Sequence, residues 1–327
     1  MKEQFKDTTQ LIPKLVFTGD PNQAHWISDF DHIAPYAKID HRHHQLLLRT
    51  RRDMVKTQSG GGFGATVSST RWSKYGTFSV KLRSGSTGPG IVTAILLSNP
   101  ALGEEISFEL TGKDPKQVVT NYYRRVPSVV DDRHRPDMNI VPHTSTRLVS
   151  HEETLPLKRD STTNDLVYKI EWNERMIRWS VDGKVLRTVH AKDVASNGGL
   201  PENAMQLKLT IWDAGYASET MAWAGGKTDY GADNLDEYIA TVSRVDVACQ
   251  NPKEGNKPWP GPDATKRLKM EAERLRKMGK GPGMFSSAKS FYKIAVLSLI
   301  KWTCVLLAII CGAAYFTDPK RKTGVPK

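Results

Sequence analysis

Residues 76–83, GTFSVKLR, and 205–212, MQLKLTIW, change character at every step. Phe78, Val80 and Leu82 alternate with Ser79, Lys81 and Arg83; Met205, Leu207, Leu209 and Ile211 alternate with Gln206, Lys208, Thr210 and Trp212. Side chains of an extended chain point to opposite faces in turn, so a period of two predicts strands with one apolar and one polar face. Residues 167–189, VYKIEWNERMIRWSVDGKVLRTV, hold three short strand-like runs, with Asp182-Gly183 as a type I′ hairpin turn between the last two. Residues 237–247, EYIATVSRVDV, add another. Many short strands, frequent turns and few helical stretches predict an all-β fold, an antiparallel β-sandwich.

The chain has 327 residues, 39% of them hydrophobic and 25% charged, which suits one large globular domain with appendages. Its net charge of +12 is unevenly spread: residues 1–251 carry 31 Lys and Arg against 30 Asp and Glu, whereas residues 252–327 carry 16 against 5. A groove for a polyanion needs excess positive charge on the folded part, so nucleic acid is excluded as the expected partner.

The tail explains its own charge. IAVLSLIKWTCVLLAIICGAAYF opens at Ile294 and closes at Phe316, 23 residues with Lys301 as the only charge. As a helix it is long enough to cross about 30 Å of hydrocarbon, and Lys and Arg crowd both of its ends. It is expected to be a single transmembrane helix, with a buried core helix as the alternative. Before it, residues 251–262 read as a Pro/Gly linker and residues 263–293 as a basic juxtamembrane segment. There Leu268, Ala272, Leu275 and Met278 fall near helical spacing, so an amphipathic helix on anionic headgroups and a solvated spacer both fit. Residues 317–327 form a basic tail.

The N-terminus, MKEQFKDTTQLIPKLVF, has no apolar stretch of the kind a secretory signal carries. Read literally, this describes a tail-anchored protein with a cytosolic domain; a start upstream of Met1 would allow export instead. Cys304 and Cys311 lie in the span and leave Cys249 alone, so no disulfide is expected within the soluble part. His41, His43 and His44 lack companion ligands at metal spacing, and neither metal nor cofactor is expected. Residues 60–64, GGGFG, lack the Gly-Lys-Ser/Thr of a phosphate loop and read as a flexible connector before a strand at residues 69–76.

Residues 103–112, GEEISFELTG, carry the most chemistry. On a strand Glu105, Ser107 and Glu109 share one face while Ile106, Phe108 and Leu110 enter the core. The two glutamates are four residues apart, about 13 Å between Cα atoms. If both lean over Ser107, their carboxyl groups can approach the roughly 5 to 5.5 Å of a retaining glycosidase.

This stretch resembles the D-E-I-D-x-E motif of glycoside hydrolase family 16, and within it the fungal Crh-type chitin-glucan transglycosylases, with Glu104, Glu105, Ile106, Ser107, Phe108 and Glu109 in its positions. The resemblance covers roughly residues 70–248. It continues through YGTFSVK at 75–81, GIVT at 90–93, NYY at 121–123, IEW at 170–172, IRWSVDG at 177–183, IW at 211–212 and WAGGKTDY at 223–230. It implies a concanavalin A-like jelly-roll sandwich over residues 69–250, with residues 1–68 as an N-terminal extension that includes its first strands. It further implies Glu105 as nucleophile, Glu109 as general acid and then base, and a polysaccharide such as chitin or β-glucan as substrate. Tyr122, Trp212 and Trp223 are expected to line the substrate cleft, with core packing as the alternative for each.

Ser107 departs from the pattern. The family's middle Asp orients the nucleophile and helps keep the acid protonated, whereas a Ser hydroxyl can donate to Glu105 but brings no charge. Arg124-Arg125 opens a longer insertion, running to about His151, where Crh-type sequences have a short loop. Three readings follow: a membrane-anchored glycan hydrolase or transglycosylase with its domain lumenal or at the cell surface, a non-catalytic glycan-binding or wall-scaffolding relative, and a tail-anchored cytosolic adaptor.

Overall fold

β-branched and aromatic residues dominate the period-two runs, and each run is a strand in the computed structural model, which describes residues 1–28, 36–52, 61–127, 146–231 and 237–250. These residues all belong to one compact unit. The linker, basic helix, membrane span and basic tail expected over residues 251–327 lie outside the described residues, as does most of the insertion, residues 128–145. No helix among the described residues is long and apolar enough to cross a membrane.

The strands form two nine-stranded sheets, numbered here in chain order. One runs β16 (Lys184–His190), β15 (Met176–Val181), β14 (Leu166–Trp172), β8 (Gly76–Arg83), β18 (Glu237–Cys249), β5 (Gln45–Arg52) and β4 (Ala37–Asp40); β1 (Lys2–Glu3) joins β18 and β6 (Gly62–Phe63) joins β5. The other runs β12 (Thr146–Ser150), β11 (Gln117–Pro127), β10 (Glu104–Thr111), β9 (Ile91–Asn99), β17 (Met205–Asp213), β7 (Ala65–Ser73), β3 (Trp26–Ser28) and β2 (Leu11–Pro13), with β13 (Glu153–Pro156) also on β11. Pairing is antiparallel except between β2 and β3. Neighbours distant in sequence, such as β9 between β10 and β17, give the jelly-roll arrangement of an all-β sandwich.

The expected apolar faces meet in the middle. Ile106 and Phe108 of β10 and Leu209 and Ile211 of β17 are fully buried, and they share one core with Val80 and Leu82 of β8 and with Tyr168, Ile170 and Trp179 across the sandwich. Trp179 does more than fill space. Its indole N–H donates to the Ser107 carbonyl at 3.0 Å, which ties β15 of one sheet to the middle of β10 in the other. Asp182 and Gly183 both adopt positive φ, 49° and 78°, as a type I′ turn requires between β15 and β16.

The glycine run differs from the expectation of a slack connector. The Gly62 amide donates to Asp213 Oδ2 at 2.6 Å, and Gly62–Phe63 already pairs with β5. A Cβ on Gly62 would collide with the Tyr230 hydroxyl, and one on Gly64 with the Ile211 carbonyl. Glycine is used here for close approach of backbone rather than for looseness. The strand that follows starts at Ala65 and ends at Ser73, and positive φ at Tyr75 and Gly76 turns the chain into β8.

Phe108 packs edge-on against Tyr168 at 5.4 Å between ring centres and is fully buried. Phe108→Ala is expected to lower stability by about 3–5 kcal/mol, read as an earlier urea midpoint with little change in slope.

Candidate active site

The register of β10 with its neighbours arranges its outward side chains in rows. Glu105 stands between Tyr123 and Ser98, with Gln206 beyond; Ser107 between Asn121 and Leu96, with Lys208 beyond; Glu109 between Val119 and Ala94, with Thr210 beyond. Thr111, Val92 and Trp212 form the next row. Both glutamates therefore face away from the core on one sheet surface, as the alternation predicted, and Trp212 shares that surface.

The two carboxyl groups sit in unlike surroundings. The Tyr123 hydroxyl donates to Glu105 Oε2 at 3.2 Å. Burial raises the Glu105 carboxyl above the usual range, opposed only in part by hydrogen bonds from Tyr123 and Ser98 and the positive charge of Lys208. Glu109 has fewer such partners. Burial, with the charges of Glu105 and Glu152 added, pushes it up to about 7, against a single opposing hydrogen bond from Ser107. The Tyr123 phenol is itself pushed up by burial and by the Glu105 charge, so it stays protonated and keeps donating. Burial raises both carboxyls; two donors and a lysine oppose that rise at Glu105, whereas Glu109, with one opposing donor, reaches about 7, and such unlike surroundings are what tell a nucleophile from an acid.

Two expectations are corrected. Ser107 Oγ donates to Glu109 Oε1 at 3.0 Å, not to Glu105. Tyr122 does not line the outer face: it is 1% exposed, stacks on His151 with ring centres 4.6 Å apart, and belongs to the core. The cause is register, since Tyr122 is paired with core-facing Ile106 and Tyr123 with Glu105. Trp212 and Trp223 do come together, stacked with centres 6.4 Å apart over Val92 and Ala224.

Sequence reasoning missed Tyr123, Ser98, Lys208 and Glu152 as neighbours of the two carboxyls, although register alone would have found the first three. It also gave no role to Glu104. That side chain is buried, accepts from the Asn203 amide at 2.9 Å and lies 3.5 Å from Arg124 Nε, so the first acidic position of the motif anchors the loop leading into β17. The histidine cluster shows only a pair, His43 Nδ1 2.7 Å from Asp40 Oδ2. Among the described residues, no three His, Cys, Asp or Glu side chains gather to hold a metal ion.

The family model for glycosyl hydrolases family 16 matches residues 28–232. The chain belongs to this family. Among curated proteins it is 28% identical over 263 residues to Crh-like protein 2 of Aspergillus fumigatus, covering 77% of this chain and 52% of that one. The chain thus spans about half the length of that relative. Among solved structures this family 16 sandwich is similar to the Crh5 transglycosylase, both without ligand and in complex with NAG. The TM-scores are 0.55 and 0.54 at 21% identity, covering 77% of this chain and 85% and 84% of those. The Bacillus licheniformis β-glucanase follows with a TM-score of 0.53 at 17% identity, covering 77% of this chain and 98% of that one. These likenesses agree on the all-β jelly-roll sandwich.

The raised Glu109 carboxyl carries a stability consequence for the family 16 domain. In the folded chain it titrates at about 7, above its ordinary 4.5, so between those values the folded state holds the extra proton and stability falls as pH rises. Glu109→Gln removes this term. Its stability relative to the parent chain is expected to rise from pH 5 to about pH 7 and to level off above that, measured as the difference in urea midpoints.

Proposed function

We propose that the chain is a membrane-anchored β-glycan hydrolase or transglycosylase, acting on cell-wall polysaccharide such as chitin or β-glucan by retaining double displacement. The observation that carries this is the pair Glu105 and Glu109 on one face of β10 in unlike surroundings, Glu105 among two donors and a lysine and Glu109 raised to about 7. The names of the similar proteins, Crh-like protein 2 and Crh5 transglycosylase, support it.

Glu105 attacks the anomeric carbon while Glu109 gives its proton to the departing glycosidic oxygen, which leaves a glycosyl ester on Glu105. Glu109, now a carboxylate, takes a proton from water or from a sugar hydroxyl; the freed oxygen attacks the same carbon and releases Glu105. The Tyr123 hydroxyl steadies Glu105 while it is an anion, and its bond weakens as that charge is spent on the sugar. The stacked Trp212 and Trp223 offer an apolar platform for a sugar ring beside the carboxyls. The apolar run at residues 294–316 is the proposed anchor, with the catalytic domain lumenal or at the cell surface.

A second reading, a glycan-binding relative without turnover, is favoured by one contact. Ser107 donates to Glu109, and a donor to a carboxyl group stabilises its anion, the opposite of what an acid needs.

One experiment separates the two. Membranes carrying the full chain, washed in alkaline carbonate, are expected to retain it and to transfer labelled chito- or laminari-oligosaccharides. Glu105→Gln should keep the membrane association and lose the transfer products, and Glu109→Gln should lose about 10² to 10⁴ in rate. Retention of labelled sugar without turnover by the parent chain would establish the binding relative instead.

A further inference from the structure

Glu152 occupies the corner between β12 and β13, and its neighbours are tied down on both sides. The Asn121 side chain, in the Ser107 row, accepts from the Ser150 hydroxyl at 3.1 Å and from the His151 amide at 3.2 Å. Arg187 donates to the His151 carbonyl at 3.0 Å and pairs with Glu153 at 2.9 Å. Glu152 itself accepts from the Trp223 indole N–H at 3.3 Å.

That hydrogen bond crosses the sheet. Trp223 belongs to the segment after β17, whereas Glu152 lies between β12 and β13, and β11, β10 and β9 lie between them. Trp223 is stacked on Trp212, one row beyond Glu109, so the crossing passes beside the Glu109 row. Beside the Arg187–Glu153 pair and His151 at the corner, four titratable groups among the described residues bear on the two carboxyls. Glu105 on the same strand and Glu152 from the corner both favour the protonated form of Glu109. The Lys208 charge from β17 falls on Glu105, and the Tyr123 phenol from β11 is neutral. The neighbours of Glu109 on β9 and β11, Ala94 and Val119, are uncharged.

Resting on the catalytic reading of Glu105 and Glu109, we propose that Glu152 is a positioning residue whose carboxylate, held across the sheet by Trp223, supplies from a loop the negative charge that Ser107 lacks, and so keeps on Glu109 the proton the leaving group needs. The charge deleted from the middle of the motif is replaced from outside the strand.

The test is a titration of Glu109 in the full chain labelled with ¹³C at the glutamate carboxyl carbons, its signal identified by loss in Glu109→Gln. In Glu152→Gln the Glu109 midpoint is expected to fall by about 0.5 pH unit, the size of one charge acting through a solvated cleft. The basic limb of the kcat/KM profile should move with it. Glu152→Asp should retain most of the shift, and Ser107→Asp added to Glu152→Gln should return the midpoint upward. A Glu109 midpoint unmoved in Glu152→Gln overturns the proposal. A midpoint that falls in a chain with no turnover at any pH supports the coupling and overturns the enzymatic reading alone, because the titration reads Glu109 directly.

Discussion

The hydrogen bond from the Trp179 indole to the Ser107 carbonyl joins the two sheets at the centre of the strand that bears Glu105 and Glu109. A strand can present carboxyl groups on one face only if the other face is held without play, because a slip of one residue would exchange Glu105 and Glu109 for Ile106 and Leu110. Burial of Ile106, Phe108 and Leu110 selects the register, and the Trp179 bond pins the backbone at its midpoint. Glu104 does the same at the strand's start by holding the Glu202–Asn203 turn. The rigid side of the strand is what makes the polar side precise enough for chemistry.

The electrostatics follow from that placement. Both carboxyls pay for their position in desolvation, and the difference between them comes from what surrounds each one. Glu105 has two hydrogen-bond donors and a lysine; Glu109 has one donor and two like charges. In the family's motif a middle aspartate contributes to this asymmetry from within the strand. Here Ser107 sits in that place and favours the Glu109 anion, so the asymmetry rests on the donors and lysine around Glu105 and on the charges of Glu105 and Glu152 beside Glu109.

The all-β class and the faces of β8, β10 and β17 were legible because period two is a direct imprint of a half-buried strand. The same period put Glu105 and Glu109 on one face and Trp212 on the polar face of its own strand, while the roles of the two glutamates came from the family resemblance. What failed was register between strands. NYY at residues 121–123 offers two tyrosines one position apart on opposite faces, and only the pairing of β11 with β10 shows that Tyr123 reaches Glu105 while Tyr122 enters the core. The glycine run misled because Gly residues that admit a close neighbour look like Gly residues that confer slack, and the neighbours, Tyr230 and β17, are about 150 residues away in sequence. Glu152 was invisible for a related reason: its place depends on the β12–β13 corner and on an indole three strands away, and neither leaves a local pattern.

The central claim, that Glu105 forms a glycosyl ester although no carboxylate stands between it and Glu109, is tested most directly by trapping. The full chain, incubated with fluorinated donor oligosaccharides of the chitin and β-glucan series and digested for mass spectrometry, should carry one sugar adduct on the peptide containing Glu105. The adduct should be absent from Glu105→Gln. An adduct on Glu109 instead, or transfer products formed with no adduct on Glu105, would contradict the account.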